Sequence, residues 1–118
     1  MPSPVASLKK RQDFKKVFSR GKSSVGALFV IYALANDLES SRLGLSVSKK
    51  VGGAVVRNRV KRLIRENCRL MGVRSGYDFI IVARAPAGKI PRDSALIKVR
   101  SSLGILFEKL GLGWDKPL

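Results

Sequence analysis

The sequence predicts an α+β sandwich: a small mixed β-sheet packed by helices, in the order helix, two strands, long helix, strand, helix (α-β-β-α-β-α). Three observations predict it. Apolar residues recur at helical spacing in three stretches, strand-length runs of β-branched and aromatic residues lie between them, and the longest helical stretch separates two such runs. With 118 residues and 45% hydrophobic content, the chain is expected to form one folded domain, 1–118, rather than a disordered basic tail.

The first helix is expected near Arg11 to Ser19, where Phe14, Val17 and Phe18 share one face and Gly21 ends the pattern. "VGALFVIYALAN", Val25 to Asn36, has strand composition and is closed by the turn "NDLESS". From Arg42 to Lys49, Leu43, Leu45 and Val47 alternate with Gly44, Ser46 and Ser48, as in a half-buried strand. A basic helix follows, then the loop "GVRSG". "YDFIIVARA" is a continuous apolar run and is therefore placed in the middle of the sheet. After the turn "PAGKIP", a last helix carries Leu96, Val99, Leu103, Leu106, Phe107 and Leu110, with Pro91 at or just before its start and Gly104 in its interior.

Charge narrows the function. Lysine and arginine number 24 against 8 acids, a formal net charge of +16, and self-repulsion of that size favours a polyanionic partner. A membrane is disfavoured: the longest apolar run, Val25 to Ala35, is well short of the ~20 residues that span a bilayer. The N-terminal stretch lacks the apolar core of a signal peptide, so a cytoplasmic location is expected. There is no histidine, the acids are scattered, and the single cysteine, Cys68, suits a buried structural thiol. A self-sufficient nuclease centre is hard to assemble from these residues, so no catalytic residue and no metal ligand is assigned.

The basic helix explains its own interleaving. On a wheel of about 100° per residue, Arg57, Lys61, Arg65, Asn58, Arg69 and Arg62 fill an arc of roughly 140°. Val56, Val60, Leu63, Ile64, Asn67 and Met71 fill roughly the opposite side, with Arg59 and Cys68 at the borders. Solvating helix faces mix signs, whereas here the i,i+4 pairs Arg57/Lys61, Lys61/Arg65 and Arg65/Arg69 repel. An anionic partner relieves that repulsion. Arginine's planar fork suits phosphate and its plane stacks on bases. Asn58 adds a group that both donates and accepts, and Lys49 and Lys50 in "KKVGG" extend the charge.

Within "RLGLSVSKKVGGAVVRNRVKRLIRE", the fifteen positions Val51 to Arg65 closely resemble the signature of the bacterial ribonuclease P protein family. Val51, Ala54, Arg57, Asn58, Arg59, Val60, Lys61, Arg62, Ile64 and Arg65 meet its pattern without a gap. The upstream "DFKKVFSRGKS" and the downstream strand and helix are similar too. The resemblance implies a sandwich shared with a ribosomal-protein domain, with a left-handed strand–helix–strand crossover against the usual rule. It also implies that a partner RNA holds Mg²⁺ and performs the hydrolysis, removing the 5′ leader of precursor tRNA, while the protein binds both RNAs and no DNA.

Two surfaces follow from the resemblance. Arg57, Asn58, Arg59, Lys61, Arg62 and Arg65, with Arg69 and Lys50 alongside, would face the ribonuclease P catalytic RNA. Phe14, Phe18 and Tyr32, with Ser46, Ser48 and Lys49 nearby, would line a cleft for the single-stranded leader. The alternative for Phe14 and Phe18 is core packing, which aromatics at i,i+4 on a short helix commonly adopt. The alternative function is a structural, ribosomal-type RNA-binding protein with no part in cleavage.

Overall fold

A computed structural model describes residues 5–112. The elements are β1 (Ala6–Ser7), α1 (Arg11–Arg20), β2 (Lys22–Val25), β3 (Phe29–Ala35), β4 (Arg42–Ser46), α2 (Ala54–Met71), β5 (Tyr77–Ala83) and α3 (Ala95–Lys109). Short 3₁₀ turns at Ala85–Lys89 and Arg92–Ser94 join β5 to α3. One mixed sheet holds all five strands in the order β1-β4-β5-β3-β2. β1 and β5 run parallel to β4, whereas β3 is antiparallel to both β5 and β2. A parallel neighbour needs a long crossover, and α2 is that connection between β4 and β5.

Alternate strand residues point to opposite faces, and the register separates two unequal layers. Leu43, Phe79 and Ile31 lie on the face covered by α2 and α3, where Val60, Ile64 and Met71 meet Val99, Leu103 and Phe107 in the main core. The other face carries Gly44, Ile80 and Tyr32 and, among the described residues, receives only α1, through Val17 and the preceding Leu8. Because β5 is covered on both sides, Phe79, Ile80 and Ile81 are all fully buried. That accounts for its unbroken apolar run and its central position, as the sequence predicts.

The observed order has two more strands than expected, β1 and β2. The run from Val25 to Asn36 is not one strand: the Gly26 N–H donates to the Phe29 carbonyl at 2.9 Å and closes a hairpin between β2 and β3. "KSSV" has a single apolar residue, so periodicity carries no strand signal there. Its pairing comes from β3, and its buried Ser24 hydroxyl donates to the Leu106 carbonyl at 2.9 Å, tying this edge to α3. The two-residue β1 is equally silent in sequence. The last helix begins later than Pro91, because Arg92–Ser94 forms its own 3₁₀ turn first.

α2 ends where Gly72 takes the left-handed conformation, φ 70°, with its N–H on the Cys68 carbonyl. Cys68 is buried, and burial pushes its thiol up to about 12, so it is an inert packing group. Close backbone packing also sets Gly88, where a Cβ would run into the Val51 carbonyl. Gly88→Ala is expected to cost about 1–3 kcal/mol by forcing the 3₁₀ turn off the segment before α2. A thermal melt checks this; an unchanged midpoint would mean that the two segments are not held together.

Candidate nucleic-acid interface

The structure divides the cationic residues of α2 into an outward row and two flanks. Asn58, Arg62, Arg65 and Arg69 are exposed, as is Lys50 ahead of the helix. Arg57, Arg59 and Lys61 are half-buried. The reason is the rotation of the helix: its buried row is Val60, Ile64, Asn67, Cys68 and Met71. On the wheel, Arg57 and Lys61 adjoin that row near Cys68. Arg59, on the opposite flank, donates from Nη2 to the Gly88 carbonyl at 3.3 Å. The Nε atoms of Arg57 and Arg59 are buried without a protein partner. Both arginines therefore have packed stems, unlike the outward row.

Among the described residues, Arg42 is the only cation in ion pairs, with Asp13 and Asp78. The charge of α2 is not neutralised within the described chain. Asn67, the polar residue of the buried row, is satisfied internally: its Nδ2 donates to the Leu63 carbonyl at 2.9 Å and its Oδ1 accepts from Arg100.

On the other face of the sheet, α1 is anchored by Val17, which is fully buried. Phe18 stands edge-on to Tyr32 with centroids 4.8 Å apart, and Phe14 lies 6.3 Å from Phe18. Phe14 and Tyr32 are half-buried, but Phe18 is 42% exposed. Val17 is the fully buried side chain here; Phe14 and Tyr32 pack partly buried against its cluster, and Phe18 is the most exposed of the three aromatics. Phe14 rests on the backbone of β4 at Gly44, a seat that a Cβ there would fill. Ser46 lies half-buried on this face, opposite Val82, whereas Ser48 and Lys49 are exposed in the link to α2. Val25, paired with Val30 on the same face, is 58% exposed and widens the apolar surface. Its only sequence signal is membership of an apolar run.

A partly buried network holds α1 over the sheet. The Arg42 guanidinium grips the Asp78 carboxylate with Nε at 2.8 Å and Nη2 at 2.6 Å, and Asn36 donates to the same carboxylate at 3.0 Å. Nη1 of Arg42 reaches Asp13 on α1 at 3.5 Å. Burial alone would raise the Asp78 pKa; the hydrogen bonds from Arg42 and Asn36, with the charges of Arg42 and Lys16, outweigh it and hold the group below its usual value. Asp13, Arg42 and Asp78 are far apart in sequence, so no local pattern announces them. No three of Cys, Asp and Glu come together as a metal site among the described residues.

A mixed sheet with an unneutralised cationic helix on one face and a short helix flanked by aromatics on the other defines a basic α+β protein suited to a polyanion. The ribonuclease P family profile matches residues 3–110, and the chain belongs to that family. The ribonuclease P protein component of Caldanaerobacter subterraneus subsp. tengcongensis is 49% identical over 118 residues, covering 98% of each chain. That of Bacillus velezensis is 50% identical over 107 residues, covering 89% of each. The structure of the Staphylococcus aureus RNase P protein superposes with a TM-score of 0.81 at 34% identity, over 92% of this chain and 97% of that one. The chain is accordingly a subunit of ribonuclease P, an endoribonuclease complex of tRNA processing.

Proposed function

We propose that this subunit binds the catalytic RNA of ribonuclease P through α2 and the 5′ leader of precursor tRNA through the cleft beside α1. Catalysis then resides in the RNA and its Mg²⁺ ions, and no step is assigned to a protein side chain. The observation that carries the reading is the placement of the two surfaces on opposite faces of one sheet. Both RNAs are thereby held at once without competing for one set of cations. Outward Arg62, Arg65 and Arg69 supply phosphate contacts, and Lys50 adds charge at the start of the stripe. Phe18 and Tyr32 offer faces and edges on which any base stacks, which suits leaders of varied sequence. No helix among the described residues is long and apolar enough to cross a membrane, and we place the assembly in the cytoplasm.

Cleavage of a 5′-extended precursor tRNA at low Mg²⁺ tests this, with protein alone, cognate ribonuclease P RNA alone, and the two mixed. Acceleration confined to the mixture, yielding the mature 5′ end, is expected. Phe18→Ala should weaken binding of leader-bearing substrate by about 1–3 kcal/mol, the loss of one stacked base, and leave leaderless tRNA unaffected. No acceleration by folded protein would favour the structural RNA-binder; cleavage by protein alone would contradict an RNA-borne active site.

A further inference from the structure

Arg92 lies outside the basic helix and its motif, yet the fold brings it to Arg59 and Arg62. These three arginines line a groove of about 640 Å³ between α2 and the turn that leads into α3. Val55, Leu63 and Ala95 supply its apolar walls, and Asn58 opens onto it. The groove is open to solvent along its length, so it suits a segment of a larger ligand rather than an enclosed small molecule. No acid lines the groove, and none of the three guanidinium groups forms an ion pair among the described residues. Asp93 follows Arg92 in sequence but is not part of the lining.

A solvated charged face does not account for this combination. Three like charges converge on a concavity, and one of them, Arg59, is fixed by its hydrogen bond to the Gly88 carbonyl. Guanidinium forks match phosphate oxygens, and their planes stack on bases. The apolar walls accept the face of a base that has left its stack, and Asn58 can donate to or accept from its edge.

We propose that this groove takes one unstacked nucleotide of the catalytic RNA, its phosphate on Arg59, Arg62 and Arg92 and its base against Val55, Leu63 and Ala95. Arg92 is therefore an RNA-binding residue, and the interface extends from α2 onto the start of α3. The occupant is the catalytic RNA because the groove is continuous with Asn58 and Arg62 of the outward row and lies across the sheet from the α1 cleft. This inference rests on the function proposed above.

Titration of labelled cognate ribonuclease P RNA with full-length protein, at several KCl concentrations and constant Mg²⁺, tests it. The variants are Arg92→Ala, Arg92→Lys and, as a control, Lys109→Ala at the far end of α3, roughly 20 Å away at 1.5 Å per residue. Arg92 and Lys109 are both exposed, so their replacement spares the core. Arg92→Ala is expected to lower affinity about tenfold and the log–log salt slope by about one. Arg92→Lys should restore the slope but not the full affinity, and Lys109→Ala should change affinity less than about twofold. Chemical probing should show one protected nucleotide that becomes reactive with Arg92→Ala. Equal losses for Arg92→Ala and Lys109→Ala, or no nucleotide released, would overturn the groove. Failure of the wild-type protein to bind the RNA would instead overturn the function on which it rests.

Discussion

Asp78→Ala is expected to destabilise the protein by about 3 kcal/mol, a large part of the ~5–15 kcal/mol that holds a small domain folded. The carboxylate is largely buried, accepts two bonds from Arg42 and one from Asn36, and has little solvent to take over. Removing it leaves the guanidinium without its main partner. The value lies at the low end for breaking such pairs because the Arg42 side chain keeps 29% of its accessible surface. The loss should depend on pH. Asp78 is held below its usual pKa, so its contribution is complete above the unfolded value of about 4 and disappears as pH falls through the folded value. Urea midpoints of wild type and variant should therefore be well separated at pH 7 and converge at strongly acid pH. An equal gap at both would mean that the charge of Asp78 contributes nothing. Because Arg42 also reaches Asp13 on α1, leader binding should weaken in this variant while affinity for the catalytic RNA persists.

Replacing Arg62 and Arg65 together by alanine is expected to have the opposite profile. Both are exposed, so stability should move by less than about 0.5 kcal/mol per site. RNA affinity should fall by about 3–6 kcal/mol in all, at roughly 1.5–3 kcal/mol per charge-assisted contact, or more than a hundredfold. Each lost phosphate contact lowers the log–log salt slope by about 0.9, so the pair should remove nearly two. Titration against the cognate ribonuclease P RNA measures both quantities. Unchanged affinity and slope would reduce the stripe to a solvated face.

The sequence by itself determined the class, the helices and the basic motif. Val60, Ile64 and Met71 recur at helical spacing, and the same spacing turns Arg62, Arg65 and Arg69 outward. The central strand is equally plain, since burial on both faces makes Phe79, Ile80 and Ile81 an unbroken apolar run. Periodicity reports the side of an element that meets a core. It does not report what an edge strand pairs with, which is why β1 and β2 are silent. Nor does it set the rotation of α2 finely enough to separate half-buried Arg57 and Lys61 from exposed Arg65.

Only the tertiary structure decided which distant residues share a site. It paired Arg42 with Asp78 and Asp13, seated Phe14 on Gly44, and left Phe18 exposed beside fully buried Val17. It also carried Arg92 to Arg59 across the groove. Such contacts are made by side chains far apart along the chain. Their energies depend on burial and distance, which exist only once the sheet has brought the elements together.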